Sequence, residues 1–359
     1  MPLSAMSFCS SGPSRNISGN DEAVRGTNDD ATISKHSAVN LGYLEDKFTK
    51  YFVKRGARRP PIINRGSYVR TRCIDSLINL FINCSTDKKQ IVSLGAGSDT
   101  RYFLLKEQNI NPHLYIEVDF PEVTSRKLAT IYKNPELKGL LDKEATLGNG
   151  GTELYSKDYL LLSGDLRRFT EDLVPRLQEL GFDSSLPTLF LSECVLIYLD
   201  PTYSDKIVQW ATKEVLNSMF ITYEQILPDD PFGQMMIRNL ELRNIKLRGL
   251  HSHPNLTSQE ERYTQKGWKF AQALDIQELH EHYVTASEKA RFVTKLCIYI
   301  SLYTSINITS HFRIAKLEFL DELEEWNLLA KHYCIAYALN FPEELKNHSI
   351  FKDICFKKF

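Results

Sequence analysis

The sequence predicts an α/β protein built on a doubly wound, mostly parallel sheet behind an N-terminal helical cap. Three observations predict it. From Gln90 onward, short apolar runs alternate with helical stretches. The first run, 91–94, stops at Gly95-Ala96-Gly97, where missing side chains let backbone N–H groups approach a ligand. The run 114–118 stops at an acid, Asp119, and a carboxylate about 20 residues beyond a glycine turn is the usual acceptor for ribose hydroxyls.

Taken in order, residues 1–28 are polar and rich in Gly and Ser and are expected to be disordered. Acids at Asp29-Asp30 suit a helix start, and that helix carries Lys35. A second helical stretch precedes the basic run Lys54 to Arg59, and 73–82 is amphipathic, so 29–88 forms the cap. Strands are expected at 91–94, 114–118, 159–163, 188–192 and 219–223. Polar or glycine residues end all five: Gly95 and Gly97, Asp119, Gly164-Asp165-Leu166, Glu193, and Glu224-Gln225. In open α/β sheets these carboxyl ends line the ligand crevice.

Residues 314–340 read as a Leu- and Glu-rich helix running into a final strand at 333–338, which closes a single domain over 29–340 ahead of a tail at 341–359. The stretch 292–312 is apolar, β-branched and almost free of acids, unlike both flanks. It is either a real insertion, as a hairpin or an exposed loop, or translated non-coding sequence.

Bulk properties narrow the function. Lys plus Arg number 44 against 45 Asp plus Glu, so no general field draws nucleic acid or membrane lipid. No apolar run is long enough to cross a bilayer, and residues 1–20 lack the apolar core of a signal peptide. The seven cysteines are scattered and never spaced CxxC, which points away from a disulfide framework or a zinc site. His251-Ser252-His253 and His280-Glu281-His282 lack a third ligand and are expected to be surface histidines, with no metal bound. A cytoplasmic monomer is expected, with nuclear access left open.

Thr100 stands where a dinucleotide-binding loop carries its third glycine. That counts against an NAD-dependent oxidoreductase and favours a cofactor without phosphates, such as S-adenosylmethionine. Asp119 suits the ribose diol, and Asp165 with Leu166 offers one polar and one apolar contact to adenine. Arg70 and Lys35 suit a carboxylate, the first as a fork and the second as a point charge. In isolation each would read as a solvated helix residue, and Asp165 and Glu193 could equally be structural acids capping helices.

With these residues in place the chain resembles the leucine carboxyl methyltransferase family from about Val24 to Tyr337. The carriers include Val24-Arg25-Gly26-Thr27, Ile63-Asn64-Arg65-Gly66 through Arg70, Leu94 to Thr100, Glu117-Val118-Asp119-Phe120-Pro121, Asp165-Leu166-Arg167, Glu193-Cys194-Val195-Leu196, Tyr223-Glu224-Gln225 and Leu317 to Glu322. The stretch 292–312 matches nothing in that family. The resemblance implies a class I S-adenosylmethionine-dependent methyltransferase fold. It also implies methyl esterification of the C-terminal leucine of the protein phosphatase 2A catalytic subunit, and cofactor contacts from Lys35, Arg70, Gly95, Asp119, Asp165, Leu166 and Glu193. Arg70 and Tyr198 are the expected acceptor-side residues, although Tyr198 could instead pack against the sheet. Whether Arg70 or Lys35 meets the cofactor's carboxylate or the leucine's stays open. The basic run Lys54 to Arg59 is a candidate for attracting the phosphatase's acidic tail, and the cap and 225–265 for contacting its folded surface. Two other readings remain: the related tRNA wybutosine-type carboxyl methyltransferase, which adds a β-propeller this chain has no room for, and a non-catalytic cofactor-binding scaffold of the phosphatase.

Overall fold

The computed structural model describes residues 19–84, 87–283, 317–318 and 320–341; the stretch 292–312 and the tail beyond Phe341 lie outside the described residues. Two long helices form the cap, α1 (Gly19–Asn40) and α2 (Pro61–Asn83). Between them the expected second helix is reduced to a 3-10 turn, Thr49–Phe52. Pro61 starts α2 with φ already set for a helix, and Val69, Cys73, Ile74, Leu77, Ile78 and Phe81 recur at helical spacing on its buried face.

Helix α1 begins ten residues earlier than the acids at Asp29-Asp30 led us to expect, and 19–28 are helical rather than disordered. The reason is ionic. Of the whole helix only Thr32, Ser37 and Ala38 are buried, so its first half has almost no apolar signature. It is held by Asp21 to Arg167, Arg25 to Glu122, and the Asn28 amide against Ser98.

The sheet follows with β1 (Gln90–Leu94), α3 (Arg101–Glu107), β2 (Leu114–Asp119) and α4 (Pro121–Lys133). A short hairpin of β3 (Thr146–Gly148) and β4 (Glu153–Tyr155) precedes β5 (Tyr159–Ser163) and α5 (Val174–Glu179). Next come β6 (Thr188–Glu193), α6 (Pro201–Glu214), β7 (Ser218–Gln225), α7 (Pro231–Glu241) and α8 (Leu256–Thr264). The last elements are β8 (Phe270–Asp275), α9 (Leu323–Lys331) and β9 (Tyr333–Asn340). The strand order is β3-β4-β5-β2-β1-β6-β7-β9-β8. The five expected strands are the mutually parallel centre, with Val92 opposite both Ile116 and Phe190. β9 runs antiparallel between β7 and β8.

The central strands are buried on both faces, which is why their sequences are continuous apolar runs. Alternate residues feed two cores. Ile91, Tyr115, Leu161, Leu189 and Ile221 pack under the cap, while Val92, Ile116, Leu160, Phe190 and Phe220 pack beneath α6 and α8. The order reverses at β1, whose neighbours β2 and β6 leave in opposite directions. That reversal is the point where open α/β sheets leave a crevice.

One buried acid ties cap to sheet. Asp46 is 5% exposed, accepts from the Phe48 and Thr49 N–H groups, and receives Lys35 Nζ at 2.8 Å and Thr100 Oγ1 at 2.5 Å. Burial raises this carboxyl, but the charge of Lys35 and hydrogen bonds from Lys35, Thr100 and Thr49 more than offset that and hold it at about 2. Because the folded value lies below the unfolded one, the stabilisation is present above the unfolded pKa and is lost as pH falls through the folded value. We expect Asp46→Asn to cost about 2 kcal/mol at pH 7, with about half of the difference from wild type gone by pH 3. Urea unfolding of both proteins at the two pH values checks this; a difference that does not narrow would overturn it.

Candidate active site

The crevice at the reversal of strand order opens into a cavity of about 610 Å³. All eight residues singled out from the sequence line it: Lys35, Arg70, Gly95, Asp119, Asp165, Leu166, Glu193 and Tyr198. Four strand ends, two helices and one short turn converge to bring them together.

The floor is the loop after β1. Gly95 and Gly97 have φ of +65° and +53°, a region that side-chain-bearing residues rarely enter. Space forbids a side chain as well. A Cβ on Gly95 would lie 2.4 Å from Val195, and one on Gly97 would lie 2.4 Å from the Asn28 side chain. Asn28 also accepts from the Ser98 N–H at 2.8 Å, so α1 is pinned across the loop by one amide.

Asp119, at the end of β2, accepts from the Gly97 and Phe120 N–H groups, each at 2.7 Å and each on a different oxygen. One lone pair per oxygen is left toward the cavity, which fits the two hydroxyls of a ribose. Burial raises its pKa, and the two backbone N–H bonds counter that only in part. Asp165, after β5, caps the 3-10 turn Leu166–Arg168 and is gripped by Arg167 on both oxygens. Its structural role is therefore real, and it lines the cavity as well. Leu166 is buried beside it.

Glu193, at the end of β6, caps no helix. Its carboxylate is shared by Arg101 Nη1 at 2.5 Å and Arg70 Nε at 3.3 Å. Arg101 is the residue the sequence reading missed. It is 7% exposed and holds Asp75 at 2.7 Å, Asp99 at 2.9 Å and Glu193, three acids from three separate elements. Its position directly after the Gly-Ala-Gly-Ser-Asp-Thr loop was the one available signal. Burial alone would raise the Asp99 carboxyl, yet Arg101 with Lys35 and Lys127 holds it well below the usual carboxylate range.

The two expected carboxylate-binding cations differ in commitment. Lys35 Nζ is spent on Asp46 and Thr100. Arg70 lies with its guanidinium carbon 5.4 Å from the Tyr223 ring centre and makes no hydrogen bond among the described residues. Burial works against its charge, and Glu193 more than offsets that. Tyr198 ends the turn Leu196–Tyr198, and its hydroxyl is raised by burial despite a hydrogen bond with Thr27. Cys194, between Glu193 and Val195, has φ of +53°, a strained turn that aims Val195 over Gly95.

Some expectations change. Glu224 does not face the crevice; its carboxylate pairs with buried Arg262 at 2.9 Å, and Gln225 lines the cavity in its place. In the basic run, Arg58 is bound by buried Glu318 and Arg59 by Asp30, so two of its four cations are already paired. His253 lies near Asp205 and His280 meets Trp326 edge-to-face; among the described residues no group of three or more metal-ligand side chains converges.

The donors and acceptors fit an S-adenosylmethionine-type cofactor: a tight glycine cradle, a ribose acceptor in Asp119 and an apolar-polar pair in Leu166 and Asp165. Comparison with known proteins agrees. The model of the family described as Leucine carboxyl methyltransferase matches residues 23–212. The Leucine carboxyl methyltransferase 1 homolog of Arabidopsis thaliana is 41% identical over 326 residues, covering 89% of this chain and 90% of its own. Leucine carboxyl methyltransferase 1 of Rattus norvegicus is 36% identical over 329 residues, covering 90% of this chain and 92% of its own. The tRNA wybutosine-synthesizing protein 4 of Homo sapiens is 35% identical over 324 residues, covering 88% of this chain and 44% of its own.

Proposed function

The chain belongs to the leucine carboxyl methyltransferase family, and from that premise we propose that it esterifies the α-carboxylate of a C-terminal leucine, that of the protein phosphatase 2A catalytic subunit. It is a methyltransferase, and its methyl donor is S-adenosylmethionine. The observation that carries the finer reading is the contrast between its two cations. Both line the cavity, but Lys35 is held by Asp46 at 2.8 Å and bonds Thr100, whereas Arg70 has only the longer 3.3 Å ion pair to Glu193 and no hydrogen bond among the described residues.

When bound, the cofactor supplies an electrophilic methyl group on a sulfonium. Everything else is positioning. An α-carboxyl titrates at about 3.3 to 3.7, so the acceptor is already ionised at cellular pH and needs no base. None is on hand among the nearby cavity groups we assign to the acceptor: burial pushes the Cys194 thiol up to about 12 and raises the Tyr198 hydroxyl further. Arg70 holds one oxygen of the leucine carboxylate and leaves the other free to attack. Tyr198 walls the acceptor side, and Asp119, Asp165 and Leu166 hold the adenosine. Such alignment of reacting groups is worth about 7 to 11 kcal/mol of barrier. For the folded phosphatase we assign the cap and the segment 225–265, where α7 buries only Gly233 and leaves Met235 exposed, with Leu242 exposed just past its end.

The test is transfer of labelled methyl from S-adenosylmethionine to phosphatase 2A core enzyme, beside a copy lacking the terminal leucine. Label is expected only where leucine is present. Incorporation into tRNA, with none into the phosphatase, would overturn the reading in favour of the wybutosine-type activity.

A further inference from the structure

The guanidinium of Arg167 lies between two carboxylates that belong to different parts of the site. On one side its Nε meets both oxygens of Asp165 at 2.9 Å, and Nη2 meets Oδ2 at 2.7 Å. On the other, Nη2 and Nη1 reach the two oxygens of Asp21 at 2.9 and 3.3 Å. Asp165 presents its acid at the cavity from the end of β5, and Asp21 sits in the first turn of α1, the helix that lies along the same cavity.

Beside the Asn28 bonds to Ser98 and the Lys246 N–H donated to Asn20 at 2.9 Å, the ionic ties of the first half of α1 are weaker. Arg25 to Glu122 at 3.7 Å and Asp29 to Arg126 at 3.6 Å are long pairs with solvent-exposed members. Exposed pairs of that kind contribute at most about 1 kcal/mol. Asp21, by contrast, is only 14% exposed, and its grip is a two-nitrogen fork. Removing Arg167 would leave two acids facing each other with no cation between them, driving the first turn away from the β5 loop.

We propose that Arg167 is a positioning residue that joins Asp165 to the first turn of α1, so that retention of the cofactor depends on an Asp165–Arg167–Asp21 relay. This rests on the reading that Asp165 meets the cofactor. The relay fixes the Asp165 carboxylate at the cavity wall, where Oδ1 also accepts from the Arg167 backbone N–H at 2.9 Å. It also makes α1 close on the same charge that orients the ring-side acid, so that the two walls of the cavity move together.

The experiment is calorimetric binding of S-adenosylhomocysteine to the full chain, with stopped-flow dissociation, for wild type, Asp165→Asn, Arg167→Ala, Arg167→Lys, Asp21→Asn and the Asp21→Asn/Arg167→Ala double variant. Arg167→Ala and Asp21→Asn should each weaken binding about tenfold, the change lying in faster dissociation, and the double variant should be no weaker than about tenfold because both break one relay. Arg167→Lys, which keeps the charge and loses the fork, should fall between. The KM for S-adenosylmethionine should rise in parallel while kcat at saturating cofactor stays within about twofold. Wild-type affinity in Asp21→Asn, or effects that multiply in the double variant, would overturn the relay alone. Wild-type affinity in Asp165→Asn would sink the reading of Asp165 and the relay with it.

Discussion

Replacing Arg101 by methionine is expected to cost about 3 to 5 kcal/mol of stability, the usual result of removing one partner from a buried charge cluster. Typical domains have only about 5 to 15 kcal/mol in hand, so the loss is severe. The side chain occupies the centre of three carboxylates, those of Asp75 on α2, Asp99 in the β1 loop and Glu193 on β6. With methionine in its place the volume is largely kept, but Asp75, Asp99 and Glu193 lose the cation they share, and only Glu193 keeps a described guanidinium partner, Arg70 at 3.3 Å. Some will take up protons and the glycine loop will lose one of its ties to the cap. Urea unfolding reads the stability, and thermal shift with S-adenosylhomocysteine reads the site: the ligand should raise the melting temperature of wild type and not of Arg101→Met. Arg101→Lys should recover part of the stability, since one point charge cannot reach all three acids. Near-wild-type unfolding by Arg101→Met would show that the cluster is not charge-balanced through this residue.

The second large effect is on turnover. Arg70→Ala should lower kcat/KM for the leucine-ended acceptor by about a hundredfold to a thousandfold, as expected when a charge-assisted fork worth about 3 to 4 kcal/mol is lost. Affinity for S-adenosylhomocysteine should change much less, because Asp119, Asp165 and the β1 loop remain. Arg70→Lys distinguishes charge from shape. A lysine there keeps the charge but cannot set two donors of one rigid plane on a single oxygen, so its activity should sit well below wild type. Full activity in Arg70→Lys would mean the fork geometry is irrelevant, and an equal loss of cofactor affinity in Arg70→Ala would assign the arginine to the cofactor's carboxylate instead.

Much of this was legible in the chain because the physics was local. The five parallel strands are buried on both faces, so each reads as an unbroken apolar run, and all five stops place a polar or glycine residue in the cavity, the fifth only through Gln225. The fifth stop misled: Glu224 is also a buried acid at a strand end, but its cation, Arg262, comes from α8 on the other face. β8 escaped notice because its first three residues are exposed or half-buried, and the β3–β4 hairpin because each strand spans three residues. The start of α1 was invisible for a different reason: its stability comes from ion pairs to Arg167, Glu122 and Arg126, partners far along the chain. Arg101 shows the same limit. Its three acids lie on α2, in the preceding loop and on β6, and no spacing rule connects them.

The placement of β9 has a consequence for how the protein is made. Eight residues of β7 pair with β9, and among the described residues β8 pairs with β9 alone. While the ribosome is still adding residues before Tyr333, both β7 and β8 therefore present open strand edges, and such edges invite pairing with other chains. Seven of the nine described strands can assemble from the amino end during synthesis, but the β9-β8 side waits for residues 333–340 to emerge. A chain cut short between Gln225 and Tyr333 would keep every residue assigned here to the cofactor and still be prone to aggregate, so loss of activity in such truncated forms should be read first as loss of solubility.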